Sequence, residues 1–373
     1  MTFTRRRFLH TLPALALGST LSRGVLAQQA RVVTVAGTGV AAYVPEGASG
    51  APAIESPINN PYGVVPGPDG AIWFCEVDEG RTRRLDPATG RLTTVAGSGE
   101  KSWTGDGGPA LQAGFSAPHE IRFDAQGNLY VVERDAHVVR RIAAGTGLVS
   151  TLAGTGEAGY SGDGGLASAA RLNQPHSIAF TADGKLLICD IGNQRVRQVD
   201  MDSGRISTLS GDGSRESTPD SGPLRGTPLR GPRSIDTDPR GNAYLVLREG
   251  NAVFRMDLAG GRLQRIAGTG ERGYTGDGGP AMNATFNGPK GIAYSAGDHS
   301  LYIVDTENHV IRRMDLDSGI ITTVLGTGTV ADGPDGDPLA CGLARPHGVC
   351  VHQGLLYVTD SENHRLRAVS GLF

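Results

Sequence analysis

Short apolar runs separated by turn-forming residues repeat along the whole chain. Each repeat opens with a proline and an apolar run, and neighbouring opening prolines are 57 residues apart: Pro61, Pro118, Pro175, Pro232, Pro289 and Pro346. In the second repeat the runs cover 118–123, 129–132, 138–142 and 147–154. Runs of this length bounded by Gly, Asn and Asp predict β-strands. Four short strands per repeat are typical of a propeller blade.

The sixth repeat is incomplete, and its missing strand is found at the other end of the chain. The repeat that opens at Pro346 stops near Val369, after its third strand. Residues 31–39 read like the fourth-strand sequences at 151–156 and 265–270. The N-terminal strand should therefore complete the last blade, which closes a ring and removes open sheet edges. We predict an all-β, six-bladed propeller of four-stranded antiparallel blades.

A charged pair recurs in five of the six repeats. An acid ends the second strand and an arginine follows seven residues later: Glu76 and Arg83, Glu133 and Arg140, Asp190 and Arg197, Asp305 and Arg312, Asp360 and Arg367. In the fourth repeat Leu247 and Phe254 replace both charges together. Removing one partner of a buried pair costs about 3–5 kcal/mol, so joint replacement indicates cross-strand ion pairs. A ring of acids for catalysis or metal binding is the alternative.

Glycine-rich segments, clearest at 154–165 and 268–279, join successive repeats. They contain Gly-x-Gly, but no helix follows at the spacing of a dinucleotide-binding fold. Two interpretations of their aspartates stay open: capping of the turn backbone, or calcium binding with nearby carbonyl groups. These segments should line one face of the ring, where their aromatic residues would form a rim: Tyr43, Trp103, Tyr160 and Tyr274.

The composition agrees with many tight turns and the N-terminus indicates export. The 373 residues include 56 Gly, and the formal net charge is −3 with both signs interspersed, so no nucleic-acid partner is expected. Arg5-Arg6-Arg7, an apolar stretch and Val25-Leu26-Ala27 resemble a twin-arginine signal with its cleavage site. We expect a signal peptide over 1–27 and one propeller domain over 28–373. The mature protein would be periplasmic or extracellular, monomeric and without a membrane span.

The four cysteines suggest different roles. Cys75 and Cys189 occupy equivalent positions in repeats one and three, which should not touch, so we expect two buried thiols. Cys341 and Cys350 lie close in sequence, and an exported chain meets an oxidising compartment. A disulfide between them and two separate thiols are both compatible with the sequence.

Two stretches carry a family resemblance. The repeat openings 289–292 and 346–349, and the blade centres 301–312 and 356–367, resemble the NHL-repeat family of six-bladed β-propellers. The resemblance covers nearly all of the chain after residue 27. It implies the fold but leaves the function open, because the family includes interaction platforms, sensor domains and a few enzymes.

The residue after each opening proline varies while the neighbouring scaffold positions stay apolar. These residues are Tyr62, His119, His176, Arg233, Lys290 and His347. In propellers the first strand of each blade lines the central channel, so we expect the six side chains to form a polar, mostly cationic ligand-binding ring. A metal-free anion site based on Arg233 and Lys290, a metal site, and a channel filled with ordered water are the alternatives.

The metal alternative comes from a second resemblance, to peptidyl-hydroxyglycine amidating lyases. Those propeller enzymes hold zinc with three histidines at such Pro-His openings, which implies His119, His176 and His347 as zinc ligands here. The resemblance also implies a catalytic role for Arg134, which directly follows a blade acid. The histidines come from blades two, three and six instead of alternate blades, and the catalytic tyrosine of the lyases has no counterpart.

Two functions follow from these observations. The first is an exported scaffold that binds a small molecule, polymer or protein on one face of the propeller. The alternative is a metal-dependent lyase or hydrolase at the channel mouth, acting on an anionic small molecule or modified peptide. There the three histidines would bind the metal, and Arg134, Arg233 and Lys290 would orient the substrate. We favour the scaffold because the histidine pattern departs from that of the lyases.

Overall fold

Short β-strands make up almost all the regular structure of the computed structural model, which describes residues 29–46 and 49–373. The predicted signal peptide, residues 1–27, lies outside the described residues. None of the helices in the described part of the chain has the length and hydrophobicity needed to cross a bilayer. In chain order, the strands are β1 (Arg31–Ala36), β2 (Ala51–Pro52), β3 (Pro61–Pro66), β4 (Ile72–Glu76), β5 (Arg81–Asp86), β6 (Arg91–Ala96), β7 (Pro118–Phe123), β8 (Leu129–Glu133), β9 (Val138–Ile142), β10 (Val149–Ala153), β11 (Pro175–Phe180), β12 (Leu186–Asp190), β13 (Arg195–Asp200), β14 (Arg205–Ser210), β15 (Ser221–Pro223), β16 (Pro232–Thr237), β17 (Asn242–Leu247), β18 (Ala252–Asp257), β19 (Arg262–Ala267), β20 (Gly279–Pro280), β21 (Gly291–Ser295), β22 (Ser300–Asp305), β23 (Val310–Asp315), β24 (Ile320–Leu325), β25 (Val349–His352), β26 (Leu355–Asp360) and β27 (Arg365–Ser370).

Single-turn 3₁₀ helices occur only in connections between the described strands. They are Ala53–Glu55, Ala110–Gln112, Ala167–Ala169, Ile191–Asn193, Ala281–Asn283, Thr306–Asn308 and Ser361–Asn363.

The strands form six antiparallel blades, as predicted. Blades one to five are the meanders β3–β6, β7–β10, β11–β14, β16–β19 and β21–β24, and blade six contains β25, β26, β27 and β1. The innermost strands β3, β7, β11, β16, β21 and β25 each contact the next, and β25 contacts β3, which closes the ring. Val32 of β1 pairs with Val369 of β27. The predicted completion of the last blade by the N-terminal strand is therefore confirmed.

Three blades carry a fifth strand that the repeat pattern did not predict. The short strands β2, β15 and β20 pair with the outermost strands β6, β19 and β24. Single bridges at Pro109–Leu148 and Leu166–Arg205 place the connecting segment similarly in blades two and three. The connecting segment thus returns along the outer edge of each of these blades and protects its unpaired backbone groups.

Apolar cores lie between neighbouring blades. Leu187 and Cys189 of blade three, for example, pack in one cluster with Ile235 and Leu245 of blade four. All four cysteines are buried free thiols, and Cys341 and Cys350 belong to different clusters. The structure therefore contains the separate thiols and not the disulfide alternative, because the two side chains point into different interblade cores.

The five predicted ion pairs are present, and their side chains are at most 2% exposed. The N–O distances are 2.6 Å for Arg83–Glu76, 3.0 Å for Arg140–Glu133, 3.4 Å for Arg197–Asp190, 3.8 Å for Arg312–Asp305 and 3.2 Å for Arg367–Asp360. In blade four, Leu247 and Phe254 are fully buried apolar replacements. The prediction of five pairs and one apolar substitute is confirmed.

The aspartates of the glycine-rich segments bind the same buried arginines. Asp163 accepts from Arg197 at 2.7 Å and from the backbone N–H of Thr208 at 3.2 Å, and Tyr160 covers the Arg197 guanidinium at 5.0 Å from its ring centre. The expectation that these aspartates cap their own turns is wrong here, because a buried cation competes for the carboxylate. Among the described residues, no cluster of these acids forms a calcium ligand set.

Candidate functional site

The channel-mouth residues follow a repeated backbone kink. Asn60, Ala117 and Gln174, which precede the opening prolines of blades one to three, have φ of +48°, +51° and +49°. Positive φ is unfavourable for residues with a side chain, so the kink is imposed by the surrounding fold. It turns the chain from the connecting segment into the innermost strand. The residue after each proline thereby lies at the entrance of the channel.

The structure brings the predicted ring residues into contact. The Tyr62 ring stacks on His347 at 3.8 Å and meets His119 edge-on at 4.8 Å, and His119 meets His176 at 4.8 Å. Lys290 Nζ lies 3.2 Å from His347 Nε2. Arg233, on blade four, comes between His176 and Lys290 in blade order. His119, Arg233, Lys290 and His347 are buried.

His119 and His176 are each fixed in a single neutral tautomer. His119 Nδ1 contacts the carbonyl oxygen of Ala117 at 3.0 Å, and His176 Nδ1 contacts that of Gln174 at 2.7 Å. A carbonyl oxygen can only accept, so Nδ1 carries the proton and Nε2 presents its lone pair. Burial and the nearby Arg233 charge hold the pKa of both imidazoles well below the usual value. Both histidines therefore act as hydrogen-bond acceptors.

His347 is also neutral, but its Nε2 already has a partner. Ser361 Oγ donates to the carbonyl oxygen of Pro61 at 2.6 Å and so accepts from His347 Nδ1 at 3.0 Å. Nε2 then accepts from the Lys290 ammonium. Burial and the Lys290 charge hold the pKa of His347 well below the usual value.

This arrangement does not fit the zinc set implied by the lyase resemblance. Tyr62 stands between His119 and His347, and the Lys290 ammonium occupies the lone pair that a metal would need. Across residues 29–46 and 49–373, no three His, Cys, Asp or Glu side chains converge as metal ligands. The histidines of blades two, three and six are thus neighbours in one ring without forming a joint coordination site.

Two cations complete the ring. Lys290 contacts Glu307 at 3.0 Å, yet burial and the Arg233 charge lower the pKa of Lys290 to about 8. Burial and the Arg248 charge lower the pKa of Arg233 to about 10. The Arg233 side chain is 6% exposed and makes no hydrogen bond or ion pair with any described residue. The guanidinium nitrogens still reach solvent, so an anion that enters the channel would supply the missing acceptor.

Arg134 lies beside the channel and not within the ring. It lines a cavity of about 420 Å³ together with His176 and Arg248. Its guanidinium donates to both carboxylate oxygens of Asp135, at 2.6 and 2.9 Å. Its charge is largely neutralised by this partner, so it is less available to a ligand than Arg233.

Sequence comparison of the repeats missed several cations on this face. Arg215 and Arg230 line the same 420 Å³ cavity, and Arg230 and Arg272 line a second one of about 510 Å³. Arg215 and Arg230 belong to the fourth connecting segment, which diverges from the other copies and has no equivalent positions to compare. The arginine content of that segment was the sequence feature that could have indicated these cations.

A closed six-bladed propeller with a polar channel mouth defines the class of this protein, and sequence relatives identify the family. The NHL repeat model matches residues 343–368, and the Teneurin NHL domain model matches residues 255–345. Protein SUPPRESSOR OF QUENCHING 1, chloroplastic, from Arabidopsis thaliana is 27% identical over 290 residues, covering 74% of this chain and 27% of the relative. NHL repeat-containing protein 2 from Homo sapiens is 24% identical, covering 65% of this chain and 37% of the relative. The family models, these relatives and the six-bladed fold together support the NHL-repeat propeller family, and the chain spans about a quarter to two-fifths of the length of these relatives.

Solved structures show the same fold at low identity. An auxiliary nutrient binding protein from Bacteroides thetaiotaomicron matches with a TM-score of 0.65 and 16% identity, covering 92% of this chain and 76% of the other. A streptogramin B lyase matches with a TM-score of 0.53 and 13% identity, covering 92% and 98%. At these identities the likeness concerns the fold alone. None of the proteins named here is described as an amidating lyase, so that resemblance stays a prediction.

Proposed function

We propose that this protein is an exported binding scaffold that takes an anionic ligand at the mouth of its channel. The observation that carries the proposal is the buried Arg233 guanidinium, which has no acceptor among the described residues. A bound anion would form charge-assisted hydrogen bonds with it, and these are stronger than neutral ones. The predicted signal peptide over 1–27 supports the exported location. The nutrient-binding description of one structural neighbour agrees with a ligand-binding role.

The neutral histidines add a second requirement for the ligand. His119 and His176 present Nε2 lone pairs beside Arg233, so they accept hydrogen bonds and repel further acceptors. A ligand that carries hydroxyl or N–H donors next to its anionic group would satisfy both kinds of partner. A hydroxylated carboxylate has this combination.

Inorganic sulfate provides a simple test of the anion site. Calorimetric titration at low ionic strength should show one bound sulfate, and Arg233→Gln should weaken binding about tenfold because one charged hydrogen-bond donor is lost. The matched control is Arg255→Gln, which removes an exposed arginine from the outer part of the same blade. Equal sulfate affinity in the Arg233→Gln variant and the wild type would contradict the proposal.

A second candidate is a lyase or hydrolase at the same mouth. Lys290, with a pKa of about 8 and a contact to neutral His347, is suited to proton transfer near neutral pH. The metal-dependent form of this candidate requires zinc at His119, His176 and His347, and it would need His347 to exchange its contact with Lys290 for the metal. Metal analysis of protein purified without chelator tests it, with a His119→Ala/His347→Ala variant as control. Stoichiometric zinc that the variant loses would favour the enzyme over the scaffold.

A further inference from the structure

Two adjoining cavities extend from the channel mouth over blades three to five, and we call them the arginine trough. They have volumes of about 420 and 510 Å³ and share Arg230, Arg248 and Glu249 as walls. His176 belongs both to the channel ring and to the first cavity. Arg248 is close enough to Arg233 to lower the pKa of that guanidinium. Arg233 itself lines neither cavity, so His176 and Arg248 are the residues that link the trough to the proposed anion site, and the trough is much larger than a single small anion requires.

Most of the positive charge in the trough has no protein partner. The side chains of Arg215, Arg230 and Arg272 make no hydrogen bond or ion pair with any described residue, whereas Arg248 contacts Glu249 at 2.9 Å. The chain as a whole has a net charge of −3, and these three cations are nonetheless grouped around two adjoining cavities. Such grouping attracts and orients an anionic partner.

The lining also shows which anions fit. Ile191 is the single large aliphatic side chain among the residues that line the two cavities, so they offer no apolar wall for an acyl chain. The carboxylates of Glu249 and Glu307 lie among the arginines and pair with Arg248, and with Lys290 and Arg345, so fewer positive charges remain than a polyphosphate would need. They can accept hydrogen bonds from hydroxyl groups, as the histidines of the ring can.

We propose that the arginine trough binds a short acidic oligosaccharide, a chain of uronate sugars. One terminal carboxylate would pair with Arg233, and the following carboxylates would pair with Arg248, Arg230 and Arg215. Sugar hydroxyls would donate to His176, Glu249 and Glu307. This inference rests on the proposed anion site at Arg233 and adds the class of ligand.

The test compares ligands of different length and charge on the full-length protein. In calorimetric titrations, trigalacturonate should bind at least about tenfold more tightly than galacturonate, because the longer chain reaches additional guanidinium groups. Arg230→Gln should weaken trigalacturonate binding about tenfold and leave sulfate binding unchanged. Arg215→Gln provides a second variant with the same expectation, and Arg255→Gln is the matched control.

Different results would overturn different statements. Equal affinities for trigalacturonate and galacturonate would overturn the trough while leaving sulfate binding at Arg233 intact. Tighter binding of inorganic tripolyphosphate than of trigalacturonate would overturn the sugar assignment. If the wild type fails to bind sulfate, the proposed anion site itself is wrong, and the inference fails with it.

Discussion

At the scale of single residues, one arginine in each of five blades is held by at least two carboxylates, and Arg367 of the last blade is held by three. Arg197 lies 3.4 Å from Asp190 of its own blade and 2.7 Å from Asp163 of the connecting segment. Burial raises the pKa of Asp190 to about 6 in spite of this cation. Each such arginine joins two strands and a connecting segment, so it fastens a blade internally and to the chain that leads into it.

Breaking one of these ion pairs should lower the free energy of unfolding. Replacing both partners by the apolar residues of blade four should restore most of the loss. Arg140→Met leaves Glu133 buried without its partner and should lower the free energy of unfolding by about 3–5 kcal/mol. The double variant Glu133→Leu/Arg140→Phe introduces the residues of blade four and should recover most of that loss. Urea unfolding at one fixed pH measures both. A double variant no more stable than Arg140→Met would show that the apolar substitute depends on other features of blade four.

Lys290 should make sulfate binding depend on pH. Its pKa of about 8 means that it is charged below pH 8 and neutral above it. Because a bound anion favours the charged form, sulfate affinity should fall by up to about tenfold per pH unit above pH 8. Calorimetric titrations from pH 7 to 9.5 would detect the decline. In Lys290→Met the affinity should be lower and nearly constant over this range, and an unchanged slope would assign the titration to another group.

At the scale of elements, β1 determines whether the last blade is complete. The backbone N–H groups of Val32 and Thr34 bond to the connecting segment at Gly336 and Asp335. Because N–H directions alternate along a strand, the N–H of Val33 points toward β27. One strand thus joins the last blade on one side and the connecting segment on the other.

Proline at position 33 should weaken this closure. Val33→Pro removes a ladder hydrogen bond to β27 and leaves its carbonyl acceptor without a donor, so it should lower the free energy of unfolding by about 1–3 kcal/mol. Val33→Thr keeps the N–H and a β-branched side chain, and should stay within about 0.5 kcal/mol of the wild type. Thermal or urea unfolding followed by circular dichroism compares the two. If both variants match the wild type, closure does not depend on this strand.

At the scale of the whole molecule, six copies of one blade enclose a site that only some of them build. Blade four supplies Arg233 and Arg248 and lacks the buried ion pair, and its connecting segment supplies Arg215 and Arg230. The scaffold is nearly symmetric, whereas the charge around the channel mouth is concentrated on one side. A ligand would therefore bind off the axis, over blades three to five.

Ring closure should make the position of the chain ends unimportant. Arg31 pairs with Ser370, so the described termini lie next to each other. A permuted chain that joins Phe373 to Gln29 through about five Gly and Ser residues, and opens at the exposed turn between Ala144 and Gly145, should fold and bind sulfate like the wild type. Circular dichroism and titration check this. A permuted chain that fails to fold would show that the native ends are needed to form the ring.

Much of the scaffold was predictable because each repeat makes the same local interactions. The spacing from Pro61 to Pro118, the pairing of Glu133 with Arg140 and the fourth-strand likeness of residues 31–39 were all visible in the sequence. They specify blade number, strand order and closure. The six ring residues could also be named from the repeat, because one position varied where its neighbours did not.

The repeat pattern could not predict contacts made between blades. Asp163 turned out to bind Arg197 instead of its own turn, and His347 binds Lys290 instead of sharing a ligand set with His119. Arg230 and Arg215 come from a segment without counterparts and meet His176 only in the folded ring. The sequence by itself determined the blades and their closure, because these depend on short-range patterns repeated six times. The tertiary structure alone decided which charges share the channel mouth, because that depends on how non-equivalent side chains from different blades meet in space.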